Sequence, residues 1–117
     1  MSDTQGRTAV LLMAYGTPRH PDEIEPYYTD IRRGRPPTPE ALADLTARYA
    51  AIGGVSPLAQ LTEAQRDALQ AALDQRAPGQ FTVALGLKHA DPKVEVAARE
   101  LADAGAGAIV GLVLAPH

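Results

Sequence analysis

AVLLMAY, residues 9–15, is a continuous apolar run that ends in a tyrosine, with no polar residue alternating through it. A strand with one wet face would alternate. An unbroken aliphatic run this short suits a strand buried on both faces, as in a parallel sheet covered by helices. Two further runs have the same character, FTVALGL at 81–87 and AIVGLVL at 108–114. Between them lie helical patterns with a repeated start signal: Thr38-Pro39, Ser56-Pro57 and Asp91-Pro92 each pair a capping oxygen with a proline suited to the first helical position. The stops are glycines, at Gly53-Gly54, at Gly79 after Pro78, and at Gly105. In the longest helical segment Leu58, Leu61, Ala68, Leu69, Ala72 and Leu73 form one stripe, largely opposite Glu63, Arg66, Asp67 and Asp74. That stripe is expected to pack on the sheet.

The expected architecture is therefore α/β: an open parallel sheet of three strands joined by helical crossovers. A helical excursion over about 22–77 follows strand 1, and a helix over about 91–104 follows strand 2. Such sheets bind ligands beyond the carboxyl ends of their strands. Tyr15, Lys88-His89 and Pro116-His117 close the three strands and so should share one rim, which the arginine cluster IRRGR at 31–35 can overhang. Three strands leave two sheet edges without a partner. With the chain ending at His117, on the tip of a buried-looking strand, the expectation is half of a larger fold.

Composition narrows the function classes. The chain has 117 residues, enough for one domain with a modest core, and 45% of them are hydrophobic. It has no Cys, which excludes disulfides and thiolate metal sites. Residues 1–7 are expected to form a disordered tail, without the charged-then-apolar pattern of a leader, and no segment approaches the roughly 18 apolar residues of a membrane span. A soluble, cytoplasmic protein is expected. A net charge of −3 argues against a broad nucleic-acid surface, so any anion is bound locally. GAGAIVG lacks the dinucleotide fingerprint spacing and the lysine of a phosphate-binding loop.

LLMAYGTP, EIEPYYTDIRRGRPP, RYAAIGGVSPL, LGLKH and VLAPH, in this order and spacing, resemble the N-terminal part of a ferrochelatase, and more narrowly of the coproporphyrin type. The resemblance runs from Thr8 to the end. It implies that residues 8–117 form the first, truncated half of a two-halved Rossmann-like chelatase fold. It also implies an activity, insertion of ferrous iron into coproporphyrin III in haem biosynthesis, with iron and porphyrin as substrates and no prosthetic group. By position, Arg32 would bind a propionate, Arg48 and Tyr49 would contact the porphyrin periphery, and Ser56 would donate a hydrogen bond to it. Tyr15 would lie under the ring with its phenol oxygen directed at the metal, with Ile31 and Met13 in apolar contact. The family's catalytic His and Glu belong to the second half and have no counterpart here, so the chain is expected to insert little iron alone. Self-association into a two-halved chelatase, or tetrapyrrole binding without catalysis, are the alternatives.

Each residue also has a plainer reading. Arginines after a helix favour its negative end, Tyr15 suits a core position with a satisfied hydroxyl, and Ser56 is accounted for by capping. His20 should simply be exposed. His89 and His117 suggest a metal site by position, yet two His residues and a Tyr at a sheet rim are usually no site at all.

Overall fold

The computed structural model describes residues 4–114, so Pro116 and His117, expected at the rim, lie outside the described residues. Three parallel strands, β1 (Thr8–Ala14), β2 (Phe81–Leu87) and β3 (Ala108–Val113), form a sheet in the order β2-β1-β3. The four helices are α1 (Ile24–Ile31), α2 (Pro39–Ala50), α3 (Leu58–Arg76) and α4 (Val94–Asp103), with a single 3-10 turn at Pro21–Glu23 before α1. This is the open α/β sheet with helical crossovers that the apolar runs predict. Among the described residues no helix is long and apolar enough to cross a membrane.

The strand register explains the core. Ala9 and Leu11 of β1 lie beside Thr82 and Ala84 of β2, and this face buries Ala97 and Leu101 of α4. Gly86 on the same face lets α4 close in, since a Cβ there would stand 3.0 Å from the Cα of Val94. On the other face Leu12 and Val83 are buried. The central strand is thus the best covered. Among the described residues β3 is covered on neither face: all six of its residues are exposed, Val110 by 52% and Val113 by 58%.

Residues 4–7, within the expected tail, form a turn tied to the α4–β3 connection, where the Gly6 N–H donates to the Gly105 carbonyl at 2.8 Å and that of Gly107 to Arg7 at 2.9 Å.

The capping signals divide. Thr38 caps α2 as its sequence predicts, accepting from the Ala41 N–H at 3.2 Å. Ser56 accepts from the Leu58 N–H at 3.2 Å, although α3 begins one residue later than a proline at the first helical position requires. Asp91-Pro92 is not a helix start. Its peptide is cis, and the Pro92 carbonyl accepts from the Leu87 N–H at 2.8 Å, which prolongs the edge of β2 and delays α4 to Val94. The glycine stops hold: α2 and α4 both end in paired bonds of the Schellman type, with Gly53 and Gly105 in the left-handed region.

The stripe expected on the longest helix is rotated. Leu58 and Leu61 are 51% and 58% exposed, whereas Thr62 is buried and Ala59, Arg66, Leu69, Gln70 and Leu73 are half-buried. The reason is that α3 runs along the edge of β2, where free peptide groups need polar partners. Gln70 supplies them as a surrogate strand, its Nε2 donating to the Phe81 carbonyl at 3.0 Å while its Oε1 accepts from the Val83 N–H at 2.8 Å. Arg66 donates to the Val83 carbonyl at 3.0 Å. Of the two edges expected to lack partners, this one is therefore covered. Gln70→Ala strands both peptide groups, and a loss of about 1–3 kcal/mol in denaturant unfolding is expected. A change below about 0.5 kcal/mol would contradict the surrogate-strand role.

Candidate functional site

The β1–β2 ladder continues past both strands. Lys88 and His89 donate their N–H groups to the carbonyls of Ala14 and Tyr15, each at 2.9 Å, so Tyr15 and His89 stand side by side at the carboxyl end of the sheet. Their rings lie 6.0 Å apart and 7° from parallel. The Lys88 ammonium sits 5.4 Å from the centre of the Tyr15 ring. Gly16 makes this packing possible: its φ is +84°, and a Cβ there would come within 3.0 Å of the Cβ atoms of Ala90 and Leu87. Tyr15 itself is 50% exposed, so it is not a core residue.

The helix carrying the arginines reaches this rim through Asp30. Its Oδ2 is 2.8 Å from Nδ1 of His89 and its Oδ1 3.2 Å from Nζ of Lys93. A carboxylate only accepts, so Nδ1 of His89 carries the proton and Nε2 is left as the ring's other nitrogen. The hydrogen bond from His89, then that from Lys93, holds the Asp30 carboxyl below its ordinary range. The sign of the pH dependence follows. A folded value below the unfolded one, about 3.9, gives stability that is fully present above that value and is lost as pH falls through the folded one. A carboxyl NMR titration is expected to show Asp30 protonating below about 3.9; a midpoint at or above that value would contradict the contacts.

Ile31 and Arg32 follow at once. Ile31 is 40% exposed, and the Arg32 guanidinium makes no hydrogen bond or ion pair among the described residues. α1 also ends in a Schellman pair, Gly34 N–H to Thr29 and Arg33 N–H to Asp30, but here an arginine takes the left-handed position, with φ of +59°. For a residue with a Cβ that conformation costs about 1–2 kcal/mol.

The remaining expected residues lie on α2, just before α3 and on β1. Tyr49 joins Tyr27 and Tyr28 between α1 and α2, and burial first, then the neighbouring tyrosines, pushes the phenols of Tyr27 and Tyr49 above their ordinary value. Tyr27 meets His89 edge-on at 6.4 Å. Arg48 points instead at Asp44, 2.8 Å away on the same exposed helix face. Such a pair is worth less than about 1 kcal/mol, so a ligand can recruit the guanidinium easily. Ser56 spends its oxygen on the Leu58 N–H as an acceptor and keeps its O–H as a donor. Met13 is half-buried beside Gly111. His20 is exposed and accepts from the Asp22 N–H. Among the described residues no group of three or more His, Cys, Asp or Glu could hold a metal ion.

Sequence reasoning missed Asp30 and Lys93. One signal was present. Asp30 is an acid in the last turn of a helix, where the dipole disfavours negative charge, so a partner from elsewhere in the chain was to be sought.

The family model for ferrochelatase matches residues 7–117. The chain belongs to the ferrochelatase family. Curated relatives agree: a coproporphyrin III ferrochelatase of Halalkalibacterium halodurans is 51% identical over 97% of this chain, and one of Oceanobacillus iheyensis is 50% identical over 95%. A ferrochelatase of Herpetosiphon aurantiacus is 48% identical over 95%. The chain spans only 36–37% of the length of these relatives. The three-stranded sheet with its four helices is consistent with the first half of the family's fold.

Proposed function

We propose that this chain contributes one wall of a coproporphyrin III site at which ferrous iron is inserted during haem biosynthesis, a lyase reaction of the cytoplasm. Porphyrin and iron are substrates, and no prosthetic group is required. The observation that carries the reading is the guanidinium of Arg32, unpaired among the described residues and two residues from the Asp30 contact that joins α1 to the Tyr15–His89 stack. Coproporphyrin presents four carboxylates around a flat apolar ring. A planar guanidinium can hold one of them by two parallel hydrogen bonds.

On this reading Ile31 lies against the macrocycle, Tyr15 stands beneath it with its oxygen toward the metal, and Arg48, Tyr49 and the Ser56 hydroxyl contact the periphery. Metalation removes two pyrrole protons and needs the ring bent, so that nitrogen lone pairs meet the metal. Arginines that grip the rim can hold a bent ring, using peripheral binding energy at the reacting centre. The proton acceptor and the group that delivers iron are a His and a Glu outside these 117 residues, so iron insertion by the chain alone should be slight. Titration of the chain with coproporphyrin III, followed by the Soret band, is expected to show saturable binding at one porphyrin per chain. A linear response without saturation would sink the proposal.

A further inference from the structure

The short helix α1 must hold Arg32 in place, yet its own attachment is slight. Ile24 at its start is buried, whereas Ile31 at its end is exposed. Among the described residues, the side-chain hydrogen bonds and ion pairs from α1 to the rest of the fold all pass through Asp30. Both of its oxygens are engaged, and the partners lie 59 and 63 residues away in the chain. Those partners are well placed. His89 is fixed by its backbone bond to Tyr15 and its ring against the Tyr15 ring, and Lys93 precedes the first turn of α4.

We propose that Asp30 is a positioning residue whose carboxylate clasps the arginine-bearing end of α1 to His89 and Lys93, and thereby sets where Arg32 stands relative to Tyr15. The inference rests on the reading that Arg32 receives a propionate. Two effects of Asp30 on an anionic ligand have opposite signs, which makes the proposal decidable. As a bare negative charge it repels carboxylates, so its removal would tighten binding. As a clasp it fixes a two-pronged hydrogen bond that weakens steeply when misaligned, so its removal loosens binding. The clasp is the larger effect, because the Asp30 carboxylate is 36% exposed and acts on a ligand through water and salt, whereas a misaligned fork loses its hydrogen bonds outright.

A double-mutant cycle tests this on the 117-residue chain, with coproporphyrin III as the probe and the Soret band as the readout. Asp30→Ala is expected to weaken binding about tenfold with Arg32 present and less than about twofold in the Arg32→Ala background. If the alanine variant does not fold, Asp30→Asn, which keeps one acceptor oxygen and loses the other, is expected to weaken binding in the same direction by a smaller factor, again only with Arg32 present. The His89 ring nitrogens should also shift in long-range proton–nitrogen NMR as the Nδ1 proton loses its acceptor. Tighter or unchanged binding without Asp30, or equal losses in both backgrounds, would overturn the inference while the function reading stands. No coproporphyrin binding by the unaltered chain would overturn both.

Discussion

Arg32→Ala is expected to lower affinity for coproporphyrin III about 10–100-fold and to leave the fold intact. The side chain has no partner among the described residues, so its removal strands no buried group. What is lost is a hydrogen bond to a charged acceptor, worth about 1.5–3 kcal/mol, and each 1.4 kcal/mol is a factor of ten. The competing account makes Arg32 one charge in a diffuse field with Arg33 and Arg35. An exposed charge pair contributes at most about 1 kcal/mol, roughly a fivefold effect, and it fades with salt. Arg32→Lys separates the two. It preserves the charge but not the planar fork, so the contact account predicts that most of the loss persists, and the field account predicts recovery.

The second large effect concerns the sheet. Leu85, Leu12 and Leu112 occupy one row across β2, β1 and β3, the same residue type in three settings. Leu12 is 2% exposed, and Leu112 is 45% exposed. Leu12→Ala is therefore expected to cost about 2–5 kcal/mol, the lost transfer energy plus the cavity left behind, out of a typical total of 5–15. Leu112→Ala leaves no enclosed cavity and should cost under about 1 kcal/mol. Urea unfolding of both variants checks the contrast. Equal losses would mean that β3 is covered in solution.

That row also shows what could be read from the chain and what could not. AVLLMAY and AIVGLVL look alike and both form strands, because an apolar run records β preference and hydrophobicity. It does not record cover. Only the order β2-β1-β3 decides that the first run is central and the last is an edge. The same order explains the rotated stripe on α3. Its Leu and Ala spacing predicts a helix correctly, but an edge strand recruits Gln70 and Arg66, whose polarity suggests solvent until the edge is known. Asp91-Pro92 matches a capping pair and serves a strand edge instead, since Pro92 answers the Leu87 N–H.

The candidate site divides along the same line. Tyr15 was put at the rim by the end of its strand, a local signal, whereas Arg32 was singled out from its cluster only by the family resemblance. Asp30 leaves one local trace, an acid in the last turn of α1, but its partners are legible only through contacts 59 and 63 residues distant, and the arginines that follow it draw attention away. Ser56 carried two readings that the geometry makes compatible, because capping uses its lone pair and a ligand would use its proton.

The most direct test compares coproporphyrin III with its tetramethyl ester on the unaltered chain, since the two ligands share a ring and differ in their carboxylates. Guanidinium capture of propionates predicts ester binding at least about tenfold weaker, with the gap narrowed by Arg32→Ala. Equal affinity for acid and ester would show that the ring is held without reading its carboxylates, and would contradict the account.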